Sequence, residues 1–185
     1  MNNKYSNETL ALKAGDLIVY PTEAVWGIGC DPKNNDAIYK LLEAKNRPLE
    51  KGVILIASHY QQLSPYLSEE KVPTDRMEQI LSSWPGPVTW LLPVSKLVSN
   101  LLTGGSDLIA VRVTDHPTVK RICDEFGGAI ISTSANKTGQ ATPIKLEEIQ
   151  EIFEEQVKCY VDEPLGGNLK PSKIINGLTG QIIRS

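Results

Sequence analysis

The stretch Gly52-Val53-Ile54-Leu55-Ile56-Ala57 decides the fold class. It is apolar from end to end, the pattern of a strand covered on both faces. A strand with one wet face would alternate instead. Such a strand needs helices packed on its sheet, and helical patterns surround it. Asn35–Ala44 places Ala37, Ile38, Leu41 and Leu42 on one face. Residues 118–126 form an amphipathic helix, with Pro117 in its first turn and Gly127-Gly128 after its end. Asn7–Ala14, 59–66, 73–83 and Leu146–Phe153 read as further helical stretches. Strands are predicted over 16–20 (stopped by Pro21), 24–29 (weakened by glycines), 88–94, Leu108–Val113, 129–131 and 157–161. A closing pair, Lys173–Asn176 and 181–184, turns at Asn176-Gly177 and Gly180. Strands and helices alternate without strict order, which predicts an α/β fold with a mixed, twisted sheet flanked by helices. With no repeat, low-complexity tract or linker, residues 1–185 are expected to form a single domain.

Composition narrows the function. Of 185 residues, 41% are hydrophobic and 22% charged, proportions of a folded chain rather than a disordered one. Nineteen Lys and Arg against 22 Asp and Glu give a net charge of -3. A protein that coats DNA through overall positive charge is excluded, but a local basic cleft is not. No apolar run would span a bilayer, and residues 1–15 lack the apolar core of a signal peptide, so a cytoplasmic location away from membranes is expected. Cys30, Cys123 and Cys159 are odd in number and far apart, and read as small buried hydrophobes. His59 and His116 have no partner at ligand spacing, which argues against a zinc site. Gly27-Ile28-Gly29 lacks the third glycine of a dinucleotide fingerprint, and no Gly-Lys-Ser or Gly-Lys-Thr closes a P-loop.

Several segments carry polar groups suited to anions, each with a plainer alternative. After Tyr20-Pro21, Thr22 and Glu23 bring a hydroxyl and a carboxylate to a strand end, where α/β sites gather; a turn in which Thr22 satisfies backbone donors is the simpler reading. In Lys45-Asn46-Arg47-Pro48, Pro48 pushes Arg47 toward extended backbone, so Lys45 and Arg47 would point together as a polyphosphate requires; cations at a helix C-terminus are the alternative. Arg112, inside the apolar run 108–113, either holds a substrate carboxylate or pairs with Asp115 or another acid. Ser132-Thr133-Ser134-Ala135-Asn136 follows a buried strand and offers hydroxyl, amide and N–H groups to phosphate or carboxylate oxygens. A helix cap is a poor alternative there, because Gly139 and Pro143 block a prompt helix start. Residues 166–172, Gly166-Gly167-Asn168-Leu169-Lys170-Pro171-Ser172, are read either as a mobile loop over a site or as an idle connection.

Taken in order, Tyr20-Pro-Thr-Glu-Ala-Val-Trp-Gly-Ile-Gly29, Lys45-Asn-Arg-Pro48, Trp84-Pro-Gly-Pro-Val-Thr89, Val111-Arg-Val-Thr-Asp-His-Pro117, Ser132-Thr-Ser-Ala-Asn136 and Pro171-Ser-Lys-Ile174 resemble the threonylcarbamoyl-AMP synthase family, the YrdC/TsaC-like proteins, in its short bacterial form. The likeness covers essentially the whole chain. It implies a YrdC-like twisted sheet around a deep, positively lined cavity, and a nucleotidyltransferase reaction. In that reaction ATP, L-threonine and bicarbonate or CO2 give L-threonylcarbamoyl-AMP and pyrophosphate, the first step of threonylcarbamoyladenosine formation in tRNA. It further implies Lys45 and Arg47 as catalytic residues that also bind ATP and carbamate with Ser134 and Asn136. Thr22, Arg112 and Ser172 would contact threonine, Mg2+ would arrive on the ATP phosphates, and no protein-held metal is expected. Implied partners are the proteins that transfer the threonylcarbamoyl group to tRNA, together with a weak tRNA or RNA contact.

Ala24 and Trp26 stand where many relatives have Thr and Tyr, Leu55 where relatives often have His, and Lys173 where Thr is common. A non-catalytic RNA-binding module aiding ribosomal RNA maturation is the main competing reading, and an adenylating enzyme for another amino acid a third. An RNA binder needs a broad basic face, whereas the enzyme needs cations and hydroxyls converging in one cavity.

Overall fold

The computed structural model describes residues 5–96, 98–168 and 170–185. Residues 1–4 of the polar start and Leu169 of the glycine-rich stretch therefore lie outside the described residues. Nine strands join into one mixed sheet: β1 (Ile18–Pro21), β2 (Trp26–Gly29), β3 (Ile54–Ala57), β4 (Val88–Pro93), β5 (Leu108–Val113), β6 (Ile130–Ser134), β7 (Cys159–Tyr160), β8 (Lys173–Asn176) and β9 (Ile182–Arg184). Their order is β7-β1-β2-β6-β3-β5-β4-β8-β9. β3 lies parallel to β5 and antiparallel to β6, so the apolar run that predicted an interior strand is in the middle of the sheet. Six helices complete the fold: α1 (Asn7–Ala14), α2 (Asn35–Ala44), α3 (Thr74–Ser82), α4 (Asn100–Thr103), α5 (Pro117–Phe126) and α6 (Leu146–Phe153).

Side chains alternate between the two faces of each strand. On one face, Leu55 of β3, Val111 of β5 and Ile131 of β6 join a core with Ile38 and Leu41 of α2, Leu102 of α4 and Phe153 of α6. On the other, Ile56 of β3 and Ile130 of β6 pack against Val119 and Ile122 of α5 and Leu12 of α1. Each such fully buried side chain contributes about 1.5–3 kcal/mol. The helices α1 and α5 cover only part of this second face. Further along, Leu91, Ala110, Ile54 and Ser132 stand directly opposite one another across β4, β5, β3 and β6. Among the described residues no helix covers this row, and Leu91, Ala110 and Ile54 are only half-buried.

Local chemistry sets the element ends. Asn34 caps α2 by accepting from the Ala37 amide at 3.0 Å. Its other end closes with Asn46 in the left-handed region (φ 49°), while the Asn46 and Arg47 amides donate to the carbonyls of Glu43 and Leu42. Gly29 permits the β2–β6 crossing: a Cβ there would sit 1.7 Å from the Ile131 carbonyl oxygen. The glycines expected to weaken β2 thus include one that the sheet requires.

Some boundaries differ from the sequence reading. Residues 59–66 form two short 3-10 turns, Tyr60–Gln62 and Ser64–Tyr66, rather than a helix. Pro65, which has no N–H to donate, lies in the second. β1 runs through Pro21, which ends the strand opposite Trp26. β6 continues to Ser134, so its hydroxyls belong to the strand itself. The short helix α4 was not foreseen; Ser99 caps it and Gly104, at φ 66°, ends it.

Candidate active site

The uncovered part of the second face is the floor of a pocket of about 380 Å3, within the roughly 300–1,000 Å3 usual for small-molecule sites. Its wall includes Thr22, Arg47, Arg112, Ser134 and Ser172, five of the seven residues singled out from the sequence. Residues from Thr22 to Arg184 meet there because β2, β6, β3, β5, β4, β8 and β9 are neighbours in the sheet.

Four cationic side chains line the pocket: Arg47, Lys51, Arg112 and Arg184. Among the described residues no aspartate or glutamate lines it, although the chain as a whole is acidic. The Arg47 Nε donates to the Gly52 carbonyl at 2.9 Å, and burial lowers its pKa. Burial also lowers that of Arg112, against the opposing pull of Glu23. Arg184 is lowered by burial and then by the charge of Arg112. Arginine stays protonated under all ordinary conditions, so these shifts report charges partly withdrawn from water, and only Arg184 also feels a like charge, that of Arg112.

Of the two roles that the sequence offered for Arg112, the ion pair is present. Arg112 lines the pocket, and it pairs with an acid, but that acid is Glu23 (3.2 Å) rather than Asp115, which pairs with Lys120 at 3.4 Å. The Thr22 hydroxyl donates to the Val25 carbonyl at 2.6 Å, closing its turn by satisfying an acceptor rather than a donor. The Ser172 hydroxyl shares a hydrogen bond with Thr89 at 2.8 Å, and Arg184 Nη2 donates to the Ser172 carbonyl at 2.7 Å.

Lys45 and Asn136 stand behind the wall instead of in it. The α2 cap turns Lys45 inward, where it is 1% exposed and its ammonium donates to the carbonyls of Ser134 and of Asn136 (2.5 Å). Lys45 and Arg47 therefore do not point together; their head groups hold different segments. Burial, then the charges of Arg47 and Lys137, lower the Lys45 pKa to about 7. The Asn136 Oδ1 accepts from Ser134 Oγ at 2.6 Å, and its Nδ2 donates to the carbonyls of Lys137 (2.8 Å) and Gln140 (2.7 Å). With all these groups engaged, Asn136 shapes the loop after β6.

Alternation explains the remaining placements. Leu55 faces away from the pocket into the core, and Ile54 takes the pocket side. Lys173 is exposed and outside the wall, because Ser172 and Ile174 on either side of it face inward. Ala24 and Trp26 both line the pocket, and the Trp26 indole donates to the Ile144 carbonyl at 2.9 Å. Sequence reasoning missed Lys51 and Arg184. The second was legible in principle, because a hairpin turning at 177–180 pairs Arg184 with Ile174, two residues from Ser172. Among the described residues no group of three or more His, Cys, Asp or Glu could hold a metal ion, and no helix is long and apolar enough to cross a membrane.

A cation-lined pocket with strand-end hydroxyls, set on the half-covered face of a mixed sheet, defines an α/β protein built to hold a small, highly charged anion. The model of the Sua5/YciO/YrdC family, described as telomere recombination, matches residues 10–185, and the chain belongs to this family. It is 52% identical over 173 residues to a threonylcarbamoyl-AMP synthase of Pseudoalteromonas translucida, covering 94% of this chain and 92% of the relative. With its namesake from Idiomarina loihiensis it shares 51% over 174 residues, 94% and 93% of the two chains. Among solved structures, that of P. abyssi Sua5 complexed with L-threonine superposes with a TM-score of 0.85 at 27% identity. The match covers 94% of this chain and 51% of that one, so the chain spans about half the length of Sua5. E. coli YciO shares the fold, with a TM-score of 0.76 at 23% identity over 96% of this chain and 88% of that one.

Proposed function

We infer that the protein synthesises L-threonylcarbamoyl-AMP from ATP, L-threonine and bicarbonate or CO2, releasing pyrophosphate. The observation that carries this reading is the convergence of Arg47, Lys51, Arg112 and Arg184 on one pocket whose described wall contains no acid. The names of its relatives support the same reaction.

The chemistry suits this wall. The threonine amine adds to CO2 to give a carbamate, losing a proton. A carbamate oxygen then attacks the α-phosphorus, and the bond to the β-phosphate oxygen breaks to release pyrophosphate. Triphosphate, carbamate and amino-acid carboxylate are all anionic, so fixed cations and N–H donors stabilise the transition state without a protein nucleophile. Arg47, Lys51 and Arg184 serve the phosphates, with Ser134 at the carbamate. Arg112, Thr22 and Ser172 receive threonine. Lys45 and Asn136 act from behind by holding the β6 end in place. Carbamates decompose in water, so a site that excludes water serves the reaction. Among the described residues the wall presents hydroxyls and cations but no carboxylate, which supports Mg2+ arriving on the nucleotide phosphates.

On this reading residues 1–185 act as one YrdC-like domain in the cytoplasm. The product passes to proteins that transfer the threonylcarbamoyl group to adenosine in tRNA. The test is pyrophosphate release from ATP. It is expected to require both L-threonine and bicarbonate, and release indifferent to threonine would overturn the assignment. The RNA-binding alternative predicts salt-sensitive RNA affinity without turnover.

A further inference from the structure

Glu23 is an acid beside a pocket wall that has none among the described residues. Its side chain is 12% exposed. Oε1 accepts from the Thr114 hydroxyl at 2.6 Å, and Oε2 lies 3.2 Å from the Arg112 Nη2. That second contact is a close charge pair without an aligned hydrogen bond: Glu23 Oε2 and Arg112 Nε are both buried without a hydrogen-bond partner. A guanidinium has five N–H donors in a rigid fork. Glu23 therefore fixes where the Arg112 head sits and leaves part of the fork unused.

The rest of the turn is built to hold Glu23 still. The Gly166 amide donates to the Thr22 carbonyl at 3.0 Å and the Asn168 amide to the Glu23 carbonyl at 2.8 Å. A Cβ on Gly166 would come within 2.7 Å of the Glu23 Cα, so the covering chain lies flat against it. Thr114 follows β5 two residues after Arg112 and is itself tied to β3 through its amide and the Ala57 carbonyl at 3.0 Å. Glu23 thus reaches the strand that carries Arg112 at two points, one hydroxyl and one guanidinium.

We propose that Glu23 is a positioning residue that sets the Arg112 guanidinium to receive the amino-acid carboxylate as a two-pronged partner. The proposal rests on the reading of Arg112 as the threonine contact. Charge alone does not explain the arrangement, because a partner serving only to neutralise a buried arginine would take the aligned fork for itself. Here Glu23 does not close the fork, and Arg112 also lines the pocket.

The test is steady-state pyrophosphate release by the full chain carrying Glu23→Gln, which keeps the side chain's shape and removes its charge. The threonine KM is expected to rise about tenfold or more, with the ATP KM within about twofold of the parent. Glu23→Asp is expected to fall between parent and Gln in threonine KM. The Glu23→Gln/Arg112→Ala double variant is expected to bind threonine no worse than Arg112→Ala alone, since Glu23 acts through Arg112. An unchanged threonine KM in Glu23→Gln, with a raised one in Arg112→Ala, overturns the positioning role alone. An unchanged threonine KM in Arg112→Ala overturns the reading beneath it. If Glu23→Gln does not fold, Thr114→Ala removes the hydroxyl that steadies Glu23. The same selective rise is then expected, and its absence overturns the proposal.

Discussion

The ammonium of Lys45 donates to the backbone carbonyl of Ser134, whose side chain lines the pocket. The end of α2 and the end of β6 are thereby locked together. The Thr138 amide returns the tie by donating to the Lys45 carbonyl at 2.8 Å, and Lys137 Nζ donates to the Ala44 carbonyl at 2.5 Å. The last carbonyls of the helix, which have no partners within it, are thus satisfied by the loop that follows the site strand.

Lys45→Met should therefore lose stability as well as activity. It removes the ammonium donor from the Ser134 and Asn136 carbonyls, leaving Ser134 only the Asn136 amide, at a cost of about 1–3 kcal/mol. Arg47→Ala, at the half-buried wall, should cut turnover strongly with a stability change of about 0.5 kcal/mol or less. Urea unfolding of both variants, read beside pyrophosphate release, checks the contrast; equal stability loss would contradict the different placements.

The buried lysine should also leave a mark on the pH dependence of folding. Its pKa is about 7 in the folded protein, against about 10.4 in an unfolded chain. Between those values the unfolded state binds more protons, so this group makes stability rise with pH across that window. The stability of the parent relative to Lys45→Met should accordingly increase from pH 7 to 9.5, by at most about 1.4 kcal/mol per pH unit. A difference that stays flat over that range would show that Lys45 keeps an ordinary pKa.

Arg184→Ala removes a pocket cation and frees the Ser172 carbonyl together. Turnover should fall about tenfold to a hundredfold, since hydrogen bonds to charged groups contribute about 1.5–3 kcal/mol. The exposed position of Arg184 on the edge strand predicts a melting temperature close to that of the parent. Activity within twofold of the parent would remove Arg184 from the site.

Gly29→Ala tests the fold rather than the chemistry. The added methyl meets backbone, the Ile131 carbonyl, so no side-chain rotation relieves it. Loss of about 3 kcal/mol or more, or failure to accumulate folded protein, is expected. A variant as stable as the parent would mean that β2 and β6 separate more easily than their packing suggests.

Much of this was legible from residue patterns. The unbroken apolar run of β3 gave a covered interior strand because both its faces meet helices, and the bounds of α1, α2 and α6 followed from periodicity and end signals. Ser132 and Ser134, singled out because hydroxyls at the end of a buried strand suit anionic oxygens, both line the pocket. What failed was direction. Lys45 and Arg47 sit two apart, but the left-handed Asn46 between them sends one inward and leaves the other at the wall. Asp115 was the nearer acid in sequence, but Glu23 is nearer in space, because the turn after β1 comes back over the end of β5. Lys173, where Thr is common, faces solvent and Leu55, where His is frequent, faces the core, because neighbouring residues on a strand point to opposite sides.

The half-covered sheet has a consequence for the molecule at rest. Where α1 and α5 stop, the row Leu91–Ala110–Ile54–Ser132 lines the pocket, with no layer of described residues above it. On the proposed function a bound substrate would supply a layer there, so occupancy and thermal resistance would rise together. At a concentration one hundred times its dissociation constant, a ligand adds about 2.7 kcal/mol to the folded state. In the cell, nucleotide supply then acts on the enzyme twice: it feeds the reaction, and it shields the chain from unfolding and from proteases.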